Sequence, residues 1–303
     1  MSSSRKDTPR RRLPPRQVWA TVLWLLLVAG PAGAGGPALV GPGGTPLRWP
    51  DGGRDIGYNP DRGGLGPFDH ATILSLADAA WQRWEDVPSA TATFRAAAEL
   101  PVDIDATNFV PLLFGFLPDG VSPVIWDEDG SIFEILFGRN SLILGTSGPE
   151  FADPDGHILE SQALFNGGFE NVGFPPSEYL QVLVHEFGHF INLGHSIVNG
   201  QIIAFDDENG PTPLDLFPRE NLAGRIETMS VQTTLGSGQD SPGPDDVASI
   251  SFLYPADGYA GQVGTITGSV LGPDGVTPLS GVNVIARNIE SPFDDAISSV
   301  SSE

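Results

Sequence analysis

Three of the chain's five histidines fall within eleven residues, in the run His185-Glu186-Phe187-Gly188-His189-Phe190-Ile191-Asn192-Leu193-Gly194-His195, and that run dictates a local fold. Four residues is just over one helical turn, so His185 and His189 share a helix face and their rings can reach a common point. His195 comes six residues later, where a continued helix would carry it away from the other two. The helix has to end and the chain double back between them. Asn192 and Gly194 are the residue types that most easily take the left-handed conformation such a reversal needs. Pro175-Pro176-Ser177-Glu178 reads as the helix start, with Ser177 as cap and Glu178 near the positive end of the dipole. Leu180, Val184, Phe187 and Ile191 recur at helical spacing and are expected to bury the opposite face.

Three converging imidazoles are a ligand set for zinc, and three neutral nitrogens leave an open position for water, as in catalytic rather than structural sites. Glu186 lies about 100° round the helix from His185, so its carboxylate can face that water as a base instead of joining the ligands. The whole stretch resembles the metzincin metallopeptidase signature H-E-x-x-H-x-x-G-x-x-H, and Ser196 after the third histidine is similar to the matrixin group within it. Asn192 departs from the glycine usual there, with a residue that tolerates the same backbone conformation. Thr228-Met229-Ser230 resembles the family's Met-turn, which implies that Met229 forms a hydrophobic floor under the metal. Residues 245–254, Asp-Asp-Val-Ala-Ser-Ile-Ser-Phe-Leu-Tyr, resemble the closing helix of matrixin catalytic domains. No tyrosine lies two residues after Met229, so the extra tyrosine ligand of the astacin and serralysin groups is not indicated.

The rest of the pattern predicts an α+β fold: a twisted mixed sheet, three main helices and a truncated all-β segment at the C-terminal side. Leu47–Trp49 and Ile56–Tyr58 read as a first strand region. Asp69 can cap a helix whose stripe is Ile73, Leu76, Ala77, Ala80 and Trp84, with Trp81 and Trp84 as core residues. Further strands are expected at Thr91–Phe94, Val121–Trp126, Ser141–Leu144 and His157–Phe165. The family resemblance implies an edge strand that lines the cleft and pairs with extended substrate, and residues 157–165 are the candidate. Two acidic turns, with Asp127 and Asp129 in one and Asp153 and Asp155 in the other, offer oxygens for Ca²⁺, although neither completes an EF-hand. Residues 197–225 are irregular and expected to shape the specificity pocket.

Composition fits a secreted enzyme. Arg5, Lys6, Arg10, Arg11, Arg12 and Arg16 precede an apolar run from Val18 to Ala29 and a small-residue site at Ala32-Gly33-Ala34, the pattern of a signal peptide. The formal net charge is −23, and no lysine follows Lys6, which argues against nucleic acid or anionic membranes as partners. Cysteine is absent, so neither disulfides nor the propeptide cysteine that blocks zinc in latent matrixins is available. After Pro255, Gly264–Leu271 and Val282–Ala286 read as hairpin strands and resemble the opening of a carboxypeptidase-regulatory-like β-sandwich. About 40 residues remain there, against the roughly 80 that two sheets need, so the chain is expected to be a fragment.

The expected organisation is a signal peptide at 1–34, a Gly/Pro-rich spacer at 35–46, a matrixin-like domain at 47–256 and an incomplete β module at 257–303. The expected function is a secreted zinc endopeptidase acting on extended polypeptide, with His185, His189 and His195 as ligands and Glu186 as base. No stable membrane association is expected after signal cleavage, and oligomeric state is left open. The alternative is a secreted zinc-containing binding or adhesion module without peptidase activity.

Overall fold

A computed structural model of the chain describes residues 35–41, 44–139, 141–200, 223–232 and 237–301. The signal-peptide expectation for 1–34 and most of the expected pocket loop lie outside these residues. The elements in chain order are β1 (Ile56–Pro60), α1 (His70–Glu85), β2 (Phe94–Ala96), α2 (Val110–Leu113), β3 (Pro123–Asp127), α3 (Ser131–Phe137), β4 (Gly145–Ala152), β5 (Ile158–Asn166), α4 (Tyr179–Phe190), α5 (Pro244–Leu253), β6 (Asn283–Arg287) and β7 (Ala296–Val300). Five strands form one sheet in the order β2-β1-β3-β5-β4, parallel throughout except for β4, which runs antiparallel to β5. Among the described residues no helix is long and apolar enough to cross a membrane.

The mixed sheet is buried on both faces at its centre, as parallel strands require. Val124 and Trp126 of β3 and Ala163 and Phe165 of β5 join the core under the helices, whereas the alternate residues Ile125 and Leu164 pack with Ile132 and Phe133 of α3 on the other side. Asp69 caps α1 by accepting the Thr72 N–H at 2.9 Å, and Ile73, Ala77, Ala80, Trp81 and Trp84 are buried. Trp81 stacks flat on Phe187 of α4 with ring centroids 3.5 Å apart, and the Trp84 indole N–H donates to the Val184 carbonyl at 2.9 Å. Burying each such ring contributes about 1.5–3 kcal/mol, so α1 holds the histidine-bearing helix at a fixed depth against the sheet.

Several expectations need correction. Ser177 does not cap α4: Pro176–Glu178 form a 3-10 turn and the helix begins at Tyr179, whose hydroxyl donates to Leu144 O at 2.7 Å and Asn166 O at 3.0 Å and so anchors the first turn to the sheet. Residues 141–144 are not a strand; the strand is 145–152. Its Gly145, Gly148 and Pro149 disfavour a central strand, and the position at the sheet edge is what admits proline. Consequently 157–165 is not the edge, because β5 is flanked by β3 and β4. Residues 47–49 contribute only a bridge from Arg48 to His157. Residues 264–271 contribute only a bridge from Leu271 to Pro278, while β6 pairs antiparallel with β7, and this two-stranded sheet packs on α5.

Candidate metal centre

The helix-and-reversal geometry is realised by one residue. Asn192 has φ 73°, and its main chain returns at once: Asn192 N–H donates to His189 O and Leu193 N–H to Gly188 O. Gly194 is not left-handed; its N–H donates to Gly36 O, and a Cβ there would lie 3.5 Å from the Ala38 backbone. Asn192 also does what glycine cannot. Its side-chain N–H groups donate to Leu39 O at 2.9 Å and Leu47 O at 2.7 Å, and its Oδ1 accepts from Leu39 N at 2.8 Å, so the turn stitches residues 38–47 to the site.

The reversal brings the three imidazoles together. His189 Nε2 lies 3.1 Å from His185 Nε2 and 3.1 Å from His195 Nε2. The other ring nitrogens settle the protonation: His185 Nδ1 sits 2.7 Å from Thr228 O and His189 Nδ1 2.7 Å from Leu193 O, and a carbonyl only accepts. Both Nδ1 atoms therefore carry hydrogen, which leaves bare lone pairs on His185 Nε2 and His189 Nε2 facing each other. Adding a proton is no remedy, because burial pushes His185 down to about 3 and His189 well below the ordinary value, with His195 lowered for the same reason. A cation is the remedy. Nitrogens about 2.0–2.1 Å from a tetrahedral ion stand about 3.3 Å apart, so only a small outward adjustment is needed. Among the described residues this trio is the one cluster of three or more ligating side chains able to share an ion.

Glu186 projects from α4 beside the first histidine, is 7 % exposed, and has an Oε2 with no hydrogen-bond partner. Burial alone lifts its carboxyl to about 8. Gly145, the first residue of β4, lies directly against it: a Cβ there would come 2.6 Å from Glu186 Cγ. A side chain at that point would push the carboxylate aside. Below the helix, Gly188 leaves room for Met229, whose sulfur would meet a Cβ at 188, as would Trp84 Cζ2 at 2.9 Å. Met229 is fully buried in the main core, and its carbonyl accepts the Ser196 N–H at 2.7 Å.

The segment 227–230 is held by α5. Asp246 Oδ2 accepts from Thr228 N at 2.8 Å and Gly243 N at 2.9 Å, and its Oδ1 accepts from Met229 N at 3.2 Å. Asp245 Oδ2 accepts the Ser196 hydroxyl at 2.5 Å. Glu227 is buried beside both with its Oε2 unpartnered, and desolvation plus the neighbouring carboxylates push the Glu227 and Asp246 carboxyls upward.

The structure brings the His185, His189 and His195 ring nitrogens together, as the spacing implied, with Asn192 at the reversal; Met229, singled out by its resemblance to a Met-turn, packs against Gly188 of the same helix. Of the four aspartates considered for calcium, Asp127, Asp129 and Asp153 accept local hydrogen bonds. Asp127 Oδ2 accepts Phe133 N–H and Asp129 Oδ1 accepts Ser131 N–H at the start of α3. Asp153 closes its turn by accepting from Asp155 N, His157 N and the His157 ring, and Asp155 stands in that turn. Sequence reasoning missed Gly145, for which a lone glycine beside a misplaced strand gave no signal, and the Thr228 and Leu193 carbonyls, which leave no side-chain trace. No family model matches the chain, and no curated protein matches it.

Proposed function

We propose that the chain is a secreted, zinc-dependent endopeptidase of the metzincin type, similar to matrixins, acting on extended polypeptide. One observation carries this reading: two imidazole lone pairs and a third ring nitrogen converge on one point, a donor set that suits zinc, and Glu186, next in the chain to His185, is buried with its Oε2 unpartnered. His185, His189 and His195 would hold the ion, with Met229 as the apolar floor. When bound, zinc supplies Lewis acidity, which lowers the pKa of water toward about 7 and polarises the scissile carbonyl.

The remaining work falls to the chain's own groups. Glu186 takes the proton of the attacking water and returns it to the departing amine nitrogen. The Thr228 and Leu193 carbonyls hold the tautomer that keeps Nε2 free for the ion. The edge of β4 offers unpaired backbone groups to an extended substrate, which it would bind by strand addition, reading main chain more than side chains. Export through residues 1–34, a spacer at 35–46, a catalytic domain at 47–256 and the start of a β-sandwich at 257–303 complete the reading. The acidic surface disfavours nucleic acid as a partner.

The test is degradation of casein by the purified, zinc-loaded chain. Chelation should stop it and zinc restore it, and Glu186→Gln should lower kcat by about 10²–10⁴-fold with zinc still bound. Cleavage that survives chelation, or wild-type rates in the variant, contradicts the proposal. A zinc-loaded chain that cleaves no protein favours a binding or adhesion module.

A further inference from the structure

We infer that the C-terminal hairpin β6–β7 is a clamp on the loop that carries the third metal ligand, with Ser298 and Arg287 as its positioning residues. The inference rests on reading the three histidines as ligands, and is independent of peptidase activity.

Two grips support it, three residues apart on the segment that follows His195. The first is through Asp245. This buried carboxylate accepts three hydrogen bonds from described side chains and backbone: from Ser196 Oγ at 2.5 Å, Ser298 N at 2.7 Å and Ser298 Oγ at 2.6 Å. Two of these come from β7. An unpaired charge at that depth is costly, so the hairpin stabilises the carboxylate that fixes Ser196, the residue next to His195. The Ser196 N–H is tied in turn to Met229 O at 2.7 Å.

The second grip is on Asn199, which is fully buried and left-handed at φ 62°. Its side-chain N–H groups donate to Arg225 O at 2.8 Å and to Phe293 O, between the two strands, at 2.9 Å. Its Oδ1 accepts from Arg287 Nη1 at 2.8 Å, and the same nitrogen donates to Pro292 O at 2.5 Å. The guanidinium lies over the Phe293 ring, 5.8 Å from its centroid, and Arg225 pairs with Asp294 at 3.0 Å. A strained backbone such as Asn199 persists only where its surroundings over-determine it, and here the hairpin supplies much of that determination. The segment from Ser196 to Asn199 and the hairpin thus form one hydrogen-bonded unit, and the position of His195 depends on both ends of it.

The experiment uses the full chain and two readouts: zinc affinity by competition with a chromogenic chelator, and amide exchange at Ser196 and Val198 in the zinc-free protein. Ser298→Ala combined with Arg287→Ala should weaken zinc binding about tenfold or more, the range for groups that orient metal ligands, and should speed exchange at both amides. Arg287→Lys, which keeps a donor for Asn199 and Pro292, should recover most of the affinity. Ser298→Ala alone retains the backbone bond to Asp245 and serves if the double variant does not fold; a smaller loss of affinity with faster exchange is expected. Affinity and exchange both unchanged would overturn the clamp, even if the melting temperature fell, since that would show a merely structural role. A wild-type chain that binds no zinc refutes the metal reading instead, and the exchange readout then decides the clamp.

Discussion

Two clusters of like groups lie on either side of Met229, and they settle their internal repulsion in opposite ways. Three imidazoles converge above it, and three carboxylates, Glu227, Asp245 and Asp246, gather beside α5 below. In the upper cluster the hydrogens are committed outward to the Thr228 and Leu193 carbonyls, and burial prevents further protonation, so the lone pairs are left for a cation. The lower cluster is met by backbone N–H groups from Thr228, Met229 and Gly243 on Asp246, while desolvation and the neighbouring carboxylates push the Glu227 carboxyl upward. The comparison separates a site built to receive something from one built to hold a turn in place. The carboxylate cluster is the support on which Thr228, and through it His185, is aligned.

The largest expected effect is on the upper cluster. Zinc at a thousandfold excess over its Kd should stabilise the fold by about 4 kcal/mol, seen as a rise in melting temperature that chelation reverses. Glu227→Gln should leave that rise intact. If zinc fails to raise the melting temperature of the wild type, the upper cluster is not a cation site.

A middle-sized effect belongs to pH in the zinc-free protein. The raised folded pKa of Glu227 means that the native state holds its proton more tightly than the unfolded chain. Its contribution is present in acid and is lost as pH climbs above the ordinary value of 4.5. The histidines act in the other sense: their folded pKa values lie below 6.5, so stability rises as pH increases through the window from about 3 to 6.5. The melting temperature should therefore peak in mildly acidic solution and decline toward alkaline pH. Glu227→Gln should make the decline above pH 4.5 shallower, by about 2–4 °C for each kcal/mol of repulsion removed. An unchanged slope in the variant would show that the carboxylates do not share the burden described.

The smallest effect separates the two roles of Asn192. Asn192→Gly keeps the left-handed turn and removes three side-chain hydrogen bonds, each worth about 1 kcal/mol. Urea unfolding should show a loss of a few kcal/mol with zinc affinity nearly unchanged. A collapse of zinc affinity would mean that the stitching to residues 38–47, and not the turn, sets the ligand geometry.

What was legible in the sequence was local and periodic. The offsets His185, His189 and His195 translate directly into helix, turn and convergence, and Asp69 before an apolar stripe translates into a capped helix; the helix at 244–253 was expected only by resemblance. What was not legible depended on partners far along the chain. The strand β4 carries two glycines and a proline, so propensity pointed to the more apolar 141–144, and only its place at the sheet edge explains its composition. Ser177 had the chemistry of a cap, but the burial of Tyr179 fixed where α4 begins. The approach of Gly145 to Glu186 and the contacts of Ser298 and Arg287 with Asp245 and Asn199, 53 and 88 positions away, left no trace in spacing at all.

The most direct measurement of the central claim is a zinc titration of the wild-type chain beside His189→Ala and Glu186→Gln, with bound metal counted per chain. The account requires one ion in the wild type and in Glu186→Gln, and none retained by His189→Ala. Equal binding by the wild type and His189→Ala, or none by the wild type, would contradict it.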